Sequence, residues 1–263
     1  MLSDEARNQL REDGFCIVRD ALSPDELERV RAGHDRAVEC TRERLGSNHM
    51  DTLDPNAANI RTFDLPSADP VFIELLRRPD ALAAVEDVLA PHGVLVSNFT
   101  GNNALPGSGS MNLHSDQALV VPSPWLTPWA ANVIWCLDDV YDANGATRYL
   151  PGSHRFQSHE DVPAGAMEQT VAFEAPAGSF IVMEGRMWHT SGRNVTKDQQ
   201  RRMLFAYYSA DFVRPQANWA LSLPAELQSG LDTQMRELFG LGPMANRRIG
   251  GELTRLRPAK AGD

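Results

Sequence analysis

Two textures divide the chain. Up to about residue 93, apolar positions recur mostly at helical spacing. In "SPDELERVRAGHDRAVECTRERLG", Leu27, Val30, Ala37 and Val38 form such a set. Ser23 stands at the N-cap, Pro24 at the first helical position and Glu26 three residues after the cap, a capping-box pattern. "DPVFIELLRR" and "PDALAAVEDVLAPHG" predict two more helices, and "GFCIV" a short strand before the first long one. "SNHMDTLDPNAANIRTFDLP" has no period and predicts a loop or lid. After Gly93 the runs shorten and fill with β-branched and aromatic residues: "VLVSNFTGN", "MNLHSDQALVV", "ANVIWCLDDV", "ATRYLPGS", "QTVAFEA", "GSFIVMEG" and "RRMLFAYYSADF". Turn signals such as "DANG" and "APAGS" separate them. Strands at this cadence without intervening helices predict an antiparallel sandwich or barrel. "PAELQSGLDTQMRELFG" predicts one C-terminal helix outside it. The expectation is a single domain over 1–263: a helical part to about 93, a β core over about 94–215 and a helical tail over about 216–263.

Composition changes this picture little. A chain of 263 residues with 42% hydrophobic and 23% charged residues is that of an ordinary globular protein. A formal net charge of -10 argues against a broad nucleic-acid footprint. No stretch approaches the ~20 apolar residues that cross a membrane, and the charged N-terminus does not read as a secretory signal. Cys16, Cys40 and Cys136 form no CxxC pair and sit in apolar or amphipathic runs, so they read as buried free thiols in a reducing cytoplasm. Oligomeric state is not legible.

The candidate chemistry starts at "MNLHSDQ". His114 and Asp116 are two apart, so on an extended chain both side chains reach one point. By itself an HxD is a common chance pattern, and a metal site needs a third ligand. His34, mid-helix among charges, and His92, in a helix-ending turn, read as surface residues. His154 and His159 lie in turns, and His49 lies in the loop as a weak substrate contact. His189, in "GRMWHTSGRN" just after an apolar strand and ahead of paired arginines, is the favoured candidate, with His154 and His159 as its nearest competitors. Two imidazoles and one carboxylate with open positions suit non-haem Fe(II) that activates O2.

"LHSDQ", "NVIWCLDD", "NGATRYLPGSH" and "WHTSGRN" followed by paired arginines occur in one order over nearly the whole chain. In this the sequence resembles the phytanoyl-CoA dioxygenase-like family of Fe(II)- and 2-oxoglutarate-dependent oxygenases. The resemblance implies a double-stranded β-helix (a cupin-like jelly roll), mainly β with flanking helices. It implies His114, Asp116 and His189 as iron ligands, with 2-oxoglutarate and O2 as co-substrates. It also implies a basic residue on a late strand for the distal carboxylate of 2-oxoglutarate. Arg201 and Arg202 lie twelve and thirteen residues after His189; the family spacing favours Arg201, and only one of two adjacent strand residues faces inward. Ser191 and Trp135 match positions that contact the co-substrate, and Thr147 is a third candidate. Against these stand plain structural roles: Trp135 as core, Thr147 as a hairpin hydroxyl, Ser191 as a turn former. Met111 and Asn112 are candidate cavity residues.

The expected reaction is oxidation, chiefly hydroxylation, of an unactivated C–H bond of a small molecule, releasing succinate and CO2. Desaturation, epoxidation and rearrangement share the same ligands and stay open. Asp116 leaves no position for a halide, so halogenation is not expected. No basic cluster suits a CoA ester; Arg61 is a lone candidate, as a surface charge or a co-substrate contact. "VVPSPWLTPW", with Trp125 and Trp129, reads equally as a pocket wall or as core. A cupin-like isomerase or hydrolase, or a binding module without activity, are the rivals.

Overall fold

The computed structural model describes residues 2–242 and, of the remainder, only the backbone of 248–249 and 252–253. The predicted helical tail therefore lies partly outside the described residues.

The N-terminal elements are α1 (Asp4–Asp13), β1 (Phe15–Val18), α2 (Pro24–Leu45), β2 (Asn59–Thr62), α3 (Leu65–Ala68), α4 (Val71–Leu76) and α5 (Pro79–Leu89). The strands β3 (Val94–Ala104), β4 (His114–Ser115), β5 (Ala130–Cys136), β6 (Thr147–Tyr149), β7 (Val171–Ala172), β8 (Phe180–Glu184), β9 (Trp188–Ser191) and β10 (Arg201–Ala210) follow. They are followed by α6 (Trp219–Ser222), α7 (Ala225–Gly230) and α8 (Thr233–Leu238). The predicted single C-terminal helix is thus two short ones, because Asp232 caps α8 through the Met235 amide and starts a new helix there.

Local chemistry places α2 as expected. The Ser23 side chain accepts from the Glu26 amide, and the Ser23 amide donates to the Glu26 carboxylate at 2.8 Å. Gly46, at φ 75°, closes the helix where an L side chain would be strained. The buried stripe of α2 is Leu27, Val30, His34, Ala37 and Thr41, a 3–4 spacing that includes the histidine expected on the surface. His34 is buried because its position on the helix, not its polarity, decides which way it faces. Cys40 lies outside that stripe and is exposed, contrary to expectation, while Cys16 and Cys136 are buried.

Two antiparallel sheets make the core. One has six strands in the order β1-β8-β5-β10-β3-β2; the other has four, β4-β9-β6-β7. They pack as a jelly roll that does not close into a barrel. The six-stranded sheet is covered on both faces. Val133, Trp135, Phe180, Val182, Leu204 and Ala206 join the helix-side core with Phe72, Leu82 and Val85. Their strand neighbours Ile134, Cys136, Ile181, Met183 and Met203 join the core between the sheets. The stretch expected to be a lid contains β2, which pairs with β3 at the sheet edge (Asn59 opposite Ala104). Among the described residues no helix is long and apolar enough to cross a membrane.

Burial of His34 has a pH consequence. Both ring nitrogens lack a hydrogen-bond partner. Burial, then the nearby Arg202 charge, pushes its pKa down to about 4, against the opposing pull of Asp35 and Asp138. An unfolded chain, with histidine near ~6.5, takes up this proton first as pH falls. The stabilising contribution is therefore complete above pH ~6.5 and is lost as pH falls toward about 4. The urea midpoint of the protein should fall between pH 7 and pH 5, and His34→Leu should flatten that slope. Equal slopes in the two proteins would refute the assignment.

Candidate metal centre

β4 and β9 pair antiparallel with His114 directly opposite His189. Asp116 follows as the first residue of a 3-10 turn over 116–119. Asp116 Oδ1 lies 3.9 Å from His114 Nε2 and 3.8 Å from His189 Nε2. All three donor atoms fall within 4.8 Å of one another, the one such metal-binding group among the described residues.

The surroundings prepare each ligand for a cation. His114 Nδ1 lies 2.9 Å from the Asn112 carbonyl, and His189 Nδ1 lies 3.0 Å from the Met187 carbonyl. A carbonyl only accepts, so each Nδ1 carries the proton and each Nε2 keeps its lone pair. Burial pushes the His189 pKa down to about 4, with Asp116 pulling it up and His114 down, so the ring is neutral at pH 7. Asp116 Oδ2 accepts from Asn132 Nδ2 at 3.0 Å, which leaves Oδ1 turned to the histidines. Tyr207 Oη donates to the Asp116 carbonyl at 3.2 Å. Gln117, fully buried, fixes the turn by bonding the Thr127 carbonyl and the Trp129 amide. Two imidazoles whose Nε2 atoms face one carboxylate oxygen, with that carboxylate oriented, are a donor set for Fe(II).

Asn132 tests this support. Removing such an outer partner costs about 10–100-fold in metal affinity. Asn132→Ala should weaken Fe(II) binding by that factor in an anaerobic competition titration while leaving 2-oxoglutarate selectivity unchanged. Affinity equal to that of the parent would show that the amide does not orient Asp116.

Arg201 lines the same cavity as the three ligands, a space of about 240 Å³. It is 1% exposed, yet among the described residues no carboxylate pairs with it. Its Nε donates to the Gly145 carbonyl at 2.9 Å, and Nη1 donates to the Asn102 carbonyl and Oδ1, each at 3.2 Å. Gly145 has φ 87°, and a Cβ there would lie 3.2 Å from the Gly192 carbonyl oxygen. Burial, then the Arg61 charge, lowers the Arg201 pKa to about 10, still cationic at neutral pH. Arg202 faces the other way. Its Nε and Nη2 grip Asp138 at 3.0 and 2.8 Å.

The remaining candidates divide. Thr147 and Ser191 are cross-strand partners on β6 and β9 and line the cavity, as does Met111. Ser191 Oγ accepts from the Met111 amide at 3.0 Å. Asn112 serves through its carbonyl on His114. Arg61 lines the cavity and is bound to buried Asp54, so it is no surface charge. Trp135 does not reach the cavity. It lies three residues along β5 from Asn132, on the opposite face, against Phe180. Trp125 is buried with Nε1 on the Val120 carbonyl, and Trp129 packs on Phe212, so neither lines the cavity. His49 pairs with Asp51, His159 packs between Trp125 and Trp188, and His92 packs on Phe212. His154 is buried against Gly14.

Asn132, Asn102, Tyr207 and Gly145 were not anticipated. Asn132 had a legible signal, as the single polar residue in the apolar run "AANVIWC". Tyr207 shares the inward alternation of Arg201 and Phe205.

Known proteins resemble this chain in sequence and in fold. The dioxygenase af480 of Aspergillus fumigatus is 45% identical over 245 residues, covering 90% of this chain and 77% of its own. The multifunctional dioxygenase prhA of Penicillium brasilianum is 25% identical, covering 90% of this chain and 82% of its own. HygX of Streptomyces hygroscopicus, crystallised with nickel and 2-oxoglutarate, shares the fold with a TM-score of 0.65 at 18% identity, over 82% of this chain and 90% of HygX. The family model for phytanoyl-CoA dioxygenase (PhyH) matches residues 10–203. With its His-Asp-His group in place, the chain belongs to the phytanoyl-CoA dioxygenase family and is an iron- and 2-oxoglutarate-dependent dioxygenase.

Proposed function

We propose that this dioxygenase hydroxylates an unactivated C–H bond of a small metabolite or natural product, with release of succinate and CO2. The observation that carries the reading is Arg201: a buried guanidinium without a carboxylate partner, on the same cavity as the metal ligands. Burying an unpaired charge is unfavourable, so an anionic ligand is the missing partner, and a guanidinium holds a carboxylate through two parallel hydrogen bonds. His114, Asp116 and His189 hold the iron. Arg201 holds the distal carboxylate of 2-oxoglutarate, with Thr147, Ser191 and Met111 along the same wall. When bound, the iron with 2-oxoglutarate and O2 supplies the oxidising power, and the protein supplies orientation and a dry pocket. Asn132 and Tyr207 keep Asp116 in place throughout. HygX has also been crystallised with hygromycin B, so this fold admits a small molecule beside the co-substrate.

The test is a reaction of the purified protein with Fe(II), ascorbate and 2-oxoglutarate. Succinate should form with O2 uptake and should stop when a chelator removes the metal. Metal-dependent chemistry without succinate would point instead to an isomerase or hydrolase that uses no 2-oxoglutarate. Product analysis then separates hydroxylation from desaturation, epoxidation or rearrangement. SnoN, an epimerase from nogalamycin biosynthesis that shares the fold (TM-score 0.61, 19% identity), makes that step necessary.

A further inference from the structure

One group on the cavity wall is itself a target for oxygen chemistry: the thioether of Met111. Among the described methionines only Met111 lines the cavity; Met183, Met187 and Met203 are fully buried elsewhere, and Met167 is exposed. Met111 stands shortly before His114 in the chain and is strapped to the strand that carries His189. Its amide donates to Ser191 Oγ at 3.0 Å, and its carbonyl accepts from Thr190 Oγ1 at 2.6 Å. A methionine side chain is unbranched and flexible, yet here the sulfur is held too. Arg61 Nη2 lies 2.9 Å from Met111 Sδ, and Arg61 is itself fixed by the buried carboxylate of Asp54. The thioether is therefore anchored at both ends, on the wall shared with His114, Asp116 and His189.

A thioether gains an oxygen atom without losing a bond, whereas an aromatic ring or an aliphatic carbon must give up hydrogen. The Met111 sulfur is thus the readiest acceptor on the wall, ahead of Phe63, Phe205 and Tyr207. In such a step the keto acid loses its neighbouring carboxyl group as CO2, and O2 is split. One oxygen atom enters succinate and the other forms the S–O bond. The keto acid and the sulfur each give up an electron pair, O2 takes up both, and no proton is transferred. A thioether sulfur has two lone pairs. Arg61 covers one of them, so the oxygen arrives on the other and the sulfoxide forms as a single epimer.

We infer that Met111 is a self-oxidation site: with 2-oxoglutarate bound and no substrate in the cavity, turnover converts its thioether to one epimer of the sulfoxide. This rests on the proposed 2-oxoglutarate chemistry, which supplies the oxygen atom. The sulfoxide is polar where the thioether was apolar, so each event alters the wall against which co-substrate and substrate pack.

The experiment is aerobic incubation of the full chain with Fe(II), 2-oxoglutarate and catalase, without substrate, followed by digestion and peptide mass analysis. The peptide bearing Met111 should gain one oxygen atom as succinate is released. The gain should exceed that at exposed Met167 by about tenfold, since at Met111 the reactants are held together. Two classes of methionine sulfoxide reductase each take one epimer, and only one of them should reverse the change in the digested peptide. Asp116→Ala, which loses the iron, should show no gain at Met111 above that at Met167. Succinate release with Met111 unmodified, oxygen placed on Phe205 or Tyr207 instead, equal oxidation of Met111 and Met167, or a mixture of epimers would each overturn the inference and leave the proposed function standing. Absence of succinate would sink the proposed function, and the inference with it.

Discussion

Replacing Arg201 by alanine should raise the KM for 2-oxoglutarate by about two orders of magnitude or more. Removing one partner of a buried charge pair costs ~3–5 kcal/mol, because the other charge is left uncompensated, and each ~1.4 kcal/mol is tenfold. Arg201 is 1% exposed, so water cannot take over the role. Arg201→Lys should recover only part, since an ammonium lacks the planar fork and cannot reproduce the bonds to the Gly145 and Asn102 carbonyls together. Arg202→Ala should leave this KM within a few-fold and instead lower the melting temperature, because it frees the Asp138 carboxylate that Arg202 grips. Steady-state kinetics on the three variants decides the matter. A large rise confined to Arg202→Ala would show that the inward arginine has been misassigned.

The second large effect belongs to the carboxylate. Asp116→Ala should abolish measurable Fe(II) binding in anaerobic titration and succinate formation with it, because two imidazoles alone leave the cation without a charged ligand. His189→Ala should do the same. His154→Ala and His159→Ala should retain iron, since one ring is buried against Gly14 and the other packs on tryptophans, outside the cavity. Loss of iron in His159→Ala with retention in His189→Ala would dismantle the triad.

The proposed chemistry explains features that are costly in isolation. A guanidinium without a counter-ion and an amide spent on a carboxylate oxygen are what a site needs when its ligands arrive from solution. Local structure around them is redundant for that reason. Gln117 and Asn132 both restrain the short segment that carries Asp116.

Much of this was legible in the residues themselves. The caps of α2, the turn-separated strands and the His-x-Asp pair follow from local chemistry: a serine three residues before a glutamate, alternating β-branched runs, two ligand types two residues apart. His189 as the third ligand came with the family resemblance. The choice of Arg201 over Arg202 rested on the spacing that the family resemblance implies, since strand alternation says only that one of the two faces inward, and the structure places Arg201 on the cavity. Facing is where local reading stops. The six-stranded sheet is covered by helices on one side and by the second sheet on the other, so its strands are apolar on both faces and alternation carries no contrast. Trp135, a candidate through the family resemblance, therefore carried no sign of its facing, and register across β10 puts it on the side opposite Asn132. The same holds for His34, whose neighbours in sequence are charged while its neighbours in space are a helix stripe and a sheet. The edge strand β2, hidden in a polar stretch, exists because β3 offers it a free row of hydrogen bonds. Sequence alone offered the functional groups and the close His-x-Asp pair, and the family resemblance added His189 and Arg201, since donor chemistry is a property of the side chain itself. Only the tertiary structure decided which of them meet in one cavity and what orients them, since that depends on pairing between strands far apart in the chain.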